Sequence, residues 1–400
     1  MRILCLTSRL PYPPYSGDRL RVFHFIERLA ADHEVSLASF IASPEEQDCL
    51  APLRELCREV RVVLLRPQHS LLKVASNLWR PLPLQVLYYR SRAMRQVVTA
   101  MLASREFDVV YSHLCRMAPY GIEATQRYRI VDMTNVLSQE LQTSLPYRGR
   151  VSQAAAQQES ARMARYEQWL ANQVDELWLI SEAERRTLAA VCPHANVQVV
   201  TNGVDPKQFF PTGQSCDTHG LLFVGNFHAF PNQDAAGYLA REILPRVRQA
   251  MPDSTLTLAG VNVNKRIRRL AHAPGVTVIG ETPDLNDALN RAAVVVAPLR
   301  TAGGIQNKVL EALAAGRPVV TSSIVNRGLA AVPERDLLIA DDAETTAGEI
   351  IRLFRDEELR KRLGRAGRAF VRGRHTWEEV AQRMKAIEED IAQHVLSAHA

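Results

Sequence analysis

Short apolar runs alternate, through the first half of the chain, with stretches whose apolar positions recur every three or four residues. Arg2–Arg9 is the first such run and reads as a buried strand. After the turn-rich PYPPYSG, the segment Asp18–Ala31 places apolar side chains at 22, 23, 26, 29 and 30, a spacing that lines one face of a helix. Further runs predict strands at Glu34–Ile41, Val60–Leu65, Asp108–Ser112, Arg129–Met133 and Glu176–Ile180, with helices over 91–104 and 152–173. Ser181-Glu-Ala-Glu184 has the form of a capping box opening another helix.

Residues 206–219 (PKQFFPTGQSCDTH), rich in Pro, Gly and polar residues, interrupt this rhythm and read as a linker. A second alternation follows: GLLFVGN, a helix over 233–250, TLTLAGV, a helix over 264–272, VTVIGE, a helix over 284–292, VVVAPL, a helix over 307–315, then PVVTSS. Strands separated by helices imply parallel sheets with right-handed crossovers. The expected fold class is therefore α/β, with two Rossmann-like domains, flanking helices and an interdomain cleft. The boundaries are 1–205, a linker at 206–219, 220–375, and a C-terminal helical segment 376–400 expected to return to the first domain. Ligands of open parallel sheets sit beyond the carboxyl ends of the strands, so chemistry is expected there.

A length of 400 residues suits two cores of about 150–200 residues each. The composition, 46% hydrophobic and 23% charged, is that of a globular protein, and no run approaches the roughly 18–20 apolar residues that span a bilayer. MRILCLTSRLPYPP carries two arginines in its apolar stretch and no small-residue cleavage site, so it reads as a strand and not as a signal peptide. The cysteines at 5, 49, 57, 115, 192 and 216 form no CxxC, which favours buried thiols in a reducing, cytoplasmic compartment.

A net charge of +6 matters less than its distribution. From Arg61 to Arg105 eight basic residues (Arg61, Arg66, Lys73, Arg80, Arg90, Arg92, Arg95, Arg105) occur without one acid, interleaved with Trp79, Tyr88 and Tyr89. This stretch is either a solvated face or a surface that meets anionic lipid or a lipid-pyrophosphate acceptor, at the inner face of a membrane. No nucleic-acid motif accompanies it.

The segment richest in chemistry is TAGGIQNKVLEALAAGRPVVTSS, 301–323. Gly303 and Gly304 let the backbone approach a ligand, and the helix starting near Asn307 offers free N–H groups and a positive dipole end to a diphosphate. Lys308 adds a full charge in the first turn. Glu311, one turn on, can accept hydrogen bonds from two ribose hydroxyls. The same two residues could instead form an i,i+3 surface ion pair.

GGIQNKVLEALAAGRPVV resembles the nucleotide-sugar signature of family 4 glycosyltransferases of the GT-B fold, and more closely the sugar transferases of bacterial exopolysaccharide and exosortase-associated systems. TNGVDPKQFFP (201–211), LLFVGNFHAFPNQDA (221–235), APLRTAGGIQNKVLEA (297–312), SRLPYPPYSGDRLR (8–21) and VDMTN (131–135) agree, so the resemblance covers nearly the whole chain. It implies that Glu311 is the second glutamate of an E-x7-E motif and holds the donor ribose, whereas Gly303 stands where the first glutamate is found. It implies that Gly304 and Ile305 offer amides to the diphosphate. Gly225 and Asn226 open the next donor loop, GNFHAFPNQD, which lacks the family's usual Arg/Lys pair. Lys308 is then the first candidate for phosphate charge, with Arg300 and Arg9 behind it. The resemblance further implies that His113 is a histidine near the transferred sugar, and that Ser16 and Gly17 form a glycine loop facing donor phosphate and acceptor.

Asp205 is expected to brace the NGVD turn. Asp341 and Asp342 read as helix caps, not as a metal-binding DxD. His228, His272 and His375 have no zinc-ligand spacing, and GVNVN at 260–264 is no GxGxxG, so neither a metal nor a nicotinamide cofactor is expected. The resemblance implies retaining, metal-independent sugar transfer. The expected partners are a nucleotide-diphosphate sugar, a glycan or polyprenyl-linked acceptor and an anionic membrane surface, with no nucleic acid. A nucleotide-sugar epimerase on the same fold and a non-catalytic scaffold in a polysaccharide assembly complex remain open alternatives.

Overall fold

The computed structural model describes every residue except 15–16, 126, 215 and 400, and the side chains of 398 and 399. It separates into two compact units, residues 1–200 with 381–400, and residues 201–380.

In the first unit seven parallel strands run β1 (Arg2–Thr7), β2 (Glu34–Ile41), β3 (Glu59–Leu64), β4 (Val109–His113), β5 (Tyr128–Thr134), β6 (Glu176–Leu179) and β7 (Val197–Val199). Their spatial order is β3-β2-β1-β4-β5-β6-β7. Helices cover both faces, which is why β1 and β4 read as continuous apolar runs and not as alternations. The second unit has β8 (Asp217–Val224), β9 (Thr255–Ala259), β10 (Val276–Gly280), β11 (Ala292–Ala297), β12 (Val319–Thr321) and β13 (Leu338–Ile339) in the order β10-β9-β8-β11-β12-β13. Each sheet grows outward from its first strand and then restarts on that strand's other side. The order reverses between β1 and β4 in one unit and between β8 and β11 in the other, and a crevice opens at the carboxyl ends there.

The expected strands of both halves are present, as are the long helices Gly17–Asp32, Arg92–Ser104 and Arg150–Ala171. Helices Pro67–Ala75, Leu84–Tyr89 and Leu137–Ser144 have no counterpart in the periodicity reading. They are short, and the first turns apolar side chains outward. The stretch 206–219 belongs to the second unit. The Phe210 and Thr212 N–H groups donate to the side chains of Asn286 and Asn290, each at 3.0 Å, and Asp217 already opens β8. Residues 381–400 belong to the first unit, where Glu388 accepts from Arg28 at 3.2 Å and the His394 ring meets Tyr128 at 5.3 Å.

Two glycines let the loops after β8 and β9 close on each other. Gly225 donates its N–H to the Ala259 carbonyl at 3.0 Å. Gly260 follows with φ +144°, and a methyl group on it would lie 1.8 Å from the Gly225 carbonyl oxygen. No rotamer relieves a clash with backbone. Gly260→Ala is therefore expected to lower unfolding free energy by at least about 1–3 kcal/mol. Gly237→Ala, on a helix with open space around the added methyl, should cost nothing. Urea unfolding of the two variants compares them directly.

Candidate functional site

At the reversal point of the second sheet, the helix Asn307–Ala314 follows the loop that leaves β11. Its far end is a Schellman closure, with Arg317 N–H on the Ala312 carbonyl at 2.9 Å and Gly316 N–H on Leu313 at 3.0 Å. Its near end has no side-chain cap, because Gln306 turns its Nε2 back to the Gly303 carbonyl at 3.0 Å. The first-turn amides thus face the crevice without a capping side chain. Asn202 of the TNGVD segment donates to Asn307 Oδ1 at 2.8 Å and pins this helix start. Asp205 accepts the Lys207 N–H at 2.7 Å and braces the turn, as its place in NGVD suggested.

Lys308 reaches back across the crevice. Its ammonium donates to Asn232 Oδ1 and lies 4.9 Å from the Phe223 ring centre on β8. Asn232 in turn donates to the Asn226 carbonyl at 2.9 Å, while Asn226 Oδ1 accepts from His228 N–H at 3.0 Å and Asn262 at 2.9 Å. The GNFHAFPNQD loop carries no cation of its own. It supplies the polar groups that hold cations from β11's side.

Lys308 and Glu311 form no ion pair within 4.0 Å, which removes the surface-pair reading. Burial pulls the Lys308 ammonium down to about 7, opposed by the Glu311 charge, and burial pushes the Glu311 carboxyl up to about 7, opposed by Lys308. Both groups are poised to gain their charged forms when a ligand supplies what water has lost: an anion for Lys308, hydroxyl donors for Glu311.

Arg300 lies on the loop that leaves β11. It makes a bidentate pair with Asp234 at 2.7 and 3.0 Å, and its guanidinium carbon lies 4.3 Å from the Tyr238 ring centre. Its charge already has a counter-ion, so any phosphate would have to share it. Gly304 has φ +59° and its carbonyl lies so close to Gly328 that a methyl there would approach within 2.3 Å. Ile305 is buried beside it.

In the first unit His113 ends β4 and is 3% exposed. Its ring stacks on Tyr111, and Nδ1 lies 3.4 Å from Asp132 Oδ2, yet neither ring nitrogen makes a hydrogen bond. Thr7 and Ser112 hydroxyls at the same strand ends are likewise buried without a partner. Such a gathering of unsatisfied polar atoms is uncommon in a core and suits a ligand face. The next residue, Leu114, and Thr134 at the end of β5 adopt φ of +69° and +64°, strained for side chains of their kind. Gly17 opens its helix and is exposed; Ser16 lies outside the described residues. Arg9 pairs with Asp18 at 3.5 Å.

Sequence reasoning missed what sits beneath His113. Arg21 makes a buried bidentate pair with Asp132 at 2.7 and 3.1 Å and donates to the Val200 carbonyl at 2.8 Å; Tyr111 donates its hydroxyl to the same carboxylate at 2.7 Å. Burial alone would raise the Asp132 carboxyl, but Arg21 and His113 hold it far below the ordinary carboxylate range. Arg21 and Asp132 lie in GDRLR and VDMTN, segments noted for their resemblance, but nothing local pairs positions 111 residues apart. Asn232, Asp234 and Asn202 were missed for the same reason. Asp342 caps the Thr345 N–H and Asp341 accepts from Ser323 N–H, each at 2.8 Å, as the capping reading expects.

Residues 16–203 match the family described as "Glycosyl transferase 4-like domain", and residues 218–356 match "Glycosyl transferases group 1". A GDP-mannose-dependent monoacylated alpha-(1-6)-phosphatidylinositol monomannoside mannosyltransferase of Corynebacterium glutamicum is 27% identical over 241 residues, 54% of this chain and 63% of that protein. The match therefore spans less than two thirds of that relative. Among solved structures, a sucrose-phosphate synthase from Thermosynechococcus elongatus superposes with a TM-score of 0.75 at 19% identity over 98% of this chain and 100% of that one. HepE of Anabaena, solved in complex with UDP-glucose, gives 0.66 at 16% identity over 99% and 100%. The fold is GT-B.

Replacing Asp132 by Asn leaves Arg21 buried without a counter-charge, at an expected cost of about 3–5 kcal/mol. The depressed carboxyl contributes stability above the ordinary Asp value of about 4 and loses it as pH falls through and below that value. Chemical unfolding from neutral to acid pH should show this loss in the unaltered chain and a flatter acid limb in Asp132→Asn.

Proposed function

We propose that this chain, which carries the two domains of a GT-B glycosyltransferase, moves a hexose with retention of anomeric configuration from a nucleotide-diphosphate sugar to a glycan or polyprenyl-linked acceptor, without a metal ion. The observation that carries the reading is Lys308, half-buried at the reversal point of the second sheet, held by Asn232 and separated from Glu311. A desolvated cation beside uncapped helix amides is suited to a departing diphosphate, the task a divalent ion performs elsewhere. Glu311, one helical turn on, can accept hydrogen bonds from two ribose hydroxyls. In the transfer, the bond from the anomeric carbon to the phosphate oxygen breaks as the acceptor oxygen bonds to that carbon. The acceptor proton passes to the leaving phosphate oxygen on the same face of the sugar. The resemblance gives His113, buried with both ring nitrogens unbonded, a role near the transferred sugar.

The place of action is the cytoplasm, at the inner face of the membrane, in exopolysaccharide synthesis. What supports this is the resemblance of the 301–323 segment, a relative named for a lipid acceptor and the basic segment after β3. Two features favour a non-catalytic scaffold: Gly303 leaves no carboxylate where the family's first motif glutamate stands, and Arg300 is paired with Asp234. Nucleotide binding separates the two readings.

UDP or GDP should bind with micromolar affinity by calorimetry, undiminished in EDTA; loss on chelation would overturn the metal-free reading, and no binding at all would leave the scaffold. Glu311→Ala should stay folded and lose about 2–4 kcal/mol of transition-state binding, roughly 30- to 1,000-fold in rate. Lys308→Met should cost roughly a hundredfold or more in turnover while leaving the melting temperature unchanged or higher, because it removes a desolvated charge. Turnover near the unaltered rate in both variants places the donor elsewhere.

A further inference from the structure

The helix Pro67–Ala75 is built inside out. Ser70 is 1% exposed, whereas its neighbours Leu71 and Leu72 are 60% and 67% exposed. Beyond the helix, Leu78 and Trp79 are 48% and 77% exposed, so four large apolar side chains stand in solvent within nine residues. Isolated exposed leucines need no explanation; a contiguous group does.

The segment is also fastened down. Arg162 donates to the Leu78 carbonyl, the Leu84 N–H donates to Glu159 at 2.6 Å, and Lys73 donates to the Arg90 carbonyl at 2.5 Å. Its apolar side chains are presented by a built surface.

Charge decides the occupant. The eight cations of 61–105 do not act together: Arg61 pairs with Glu59 at 2.7 Å, Arg95 with Glu123 at 2.9 Å and Arg105 with Glu34 at 2.6 Å. Arg66 and Arg80, which flank the leucines and tryptophan, have no acidic partner among the described residues. A second copy of this surface would bring like charges together, whereas an anionic bilayer satisfies both features. Leucines and an indole enter the headgroup boundary while arginines meet lipid phosphates.

We propose that Leu71, Leu72, Leu78 and Trp79 insert into the surface of an anionic membrane, with Arg66 and Arg80 setting the preference for negative lipid. No helix of the described residues is long and apolar enough to cross a membrane, so this is attachment at the surface. The inference deepens the membrane placement in the proposed function and is independent of the donor site.

The full chain is floated with vesicles of phosphatidylcholine alone or mixed with phosphatidylglycerol. Binding to the mixed vesicles at low salt, weakening as salt rises, is expected. The combined Leu71→Ser, Leu72→Ser and Trp79→Ser variant should bind at least about tenfold more weakly, and Arg66→Gln with Arg80→Gln should lose the preference for anionic lipid. Trp79 fluorescence should be quenched by brominated lipid, a signal missing from Trp79→Phe. Nucleotide binding should be unchanged in all variants, so loss of lipid binding alone does not touch the sugar-transfer reading. Absence of flotation, flotation undiminished in the serine variant, or a dimer in sedimentation that the serine variant dissolves would each overturn the proposal.

Discussion

A lysine ammonium drawn out of water needs something to face, and the second unit is arranged around that need. Lys308 stands where the strand order of a parallel sheet reverses, the point at which such sheets leave a gap between neighbouring crossover helices. Asn232 fills the gap with a neutral acceptor, Phe223 adds the face of a ring, and Glu311 is kept out of ion-pair reach. A carboxylate at the place of Asn232 would neutralise the lysine and close the site to anions. A neutral partner orients the charge without quenching it. Arg300 shows the contrast: Asp234 pairs bidentately with its guanidinium, and the pair secures the loop after β11 to the helix after β8.

The first unit meets a related demand with the opposite choice. At its reversal point the charge is buried completely, as the Arg21–Asp132 pair with Tyr111 beneath His113. Full neutralisation makes this a foundation. It leaves His113 without a hydrogen bond of its own and the Leu114 and Thr134 backbones strained at the ends of their strands. Strain and unmet polar groups survive where the surrounding packing is strong enough to hold them. Parallel strands buried on both faces provide that packing.

The exposed leucines of 71–72 belong to the same logic seen from outside. A core could have taken them, but the helix that carries them buries a serine instead. The fold has given up apolar burial there while fixing the segment with side chain–backbone hydrogen bonds, a cost that makes sense when the apolar face has another solvent to enter.

The sequence by itself determined the alternation of strands and helices, because burial on both faces forces apolar runs that need no partner to be recognised. It also determined the 301–323 segment: two glycines, a helix start, Lys308 and Glu311 are neighbours in the chain, so their chemistry can be read locally. The turn braced by Asp205 and the helix capped by Asp342 were legible for the same reason. Only the tertiary structure decided which partner each charge would take. Lys308 and Asn232 are 76 residues apart, Arg300 and Asp234 are 66 apart, and Arg21 and Asp132 are 111 apart. Hydrophobic periodicity fixes which face a residue occupies. Strand order then decides which faces meet, and a hydrogen bond of about 3 Å is sensitive to that meeting in a way that no spacing along the chain records.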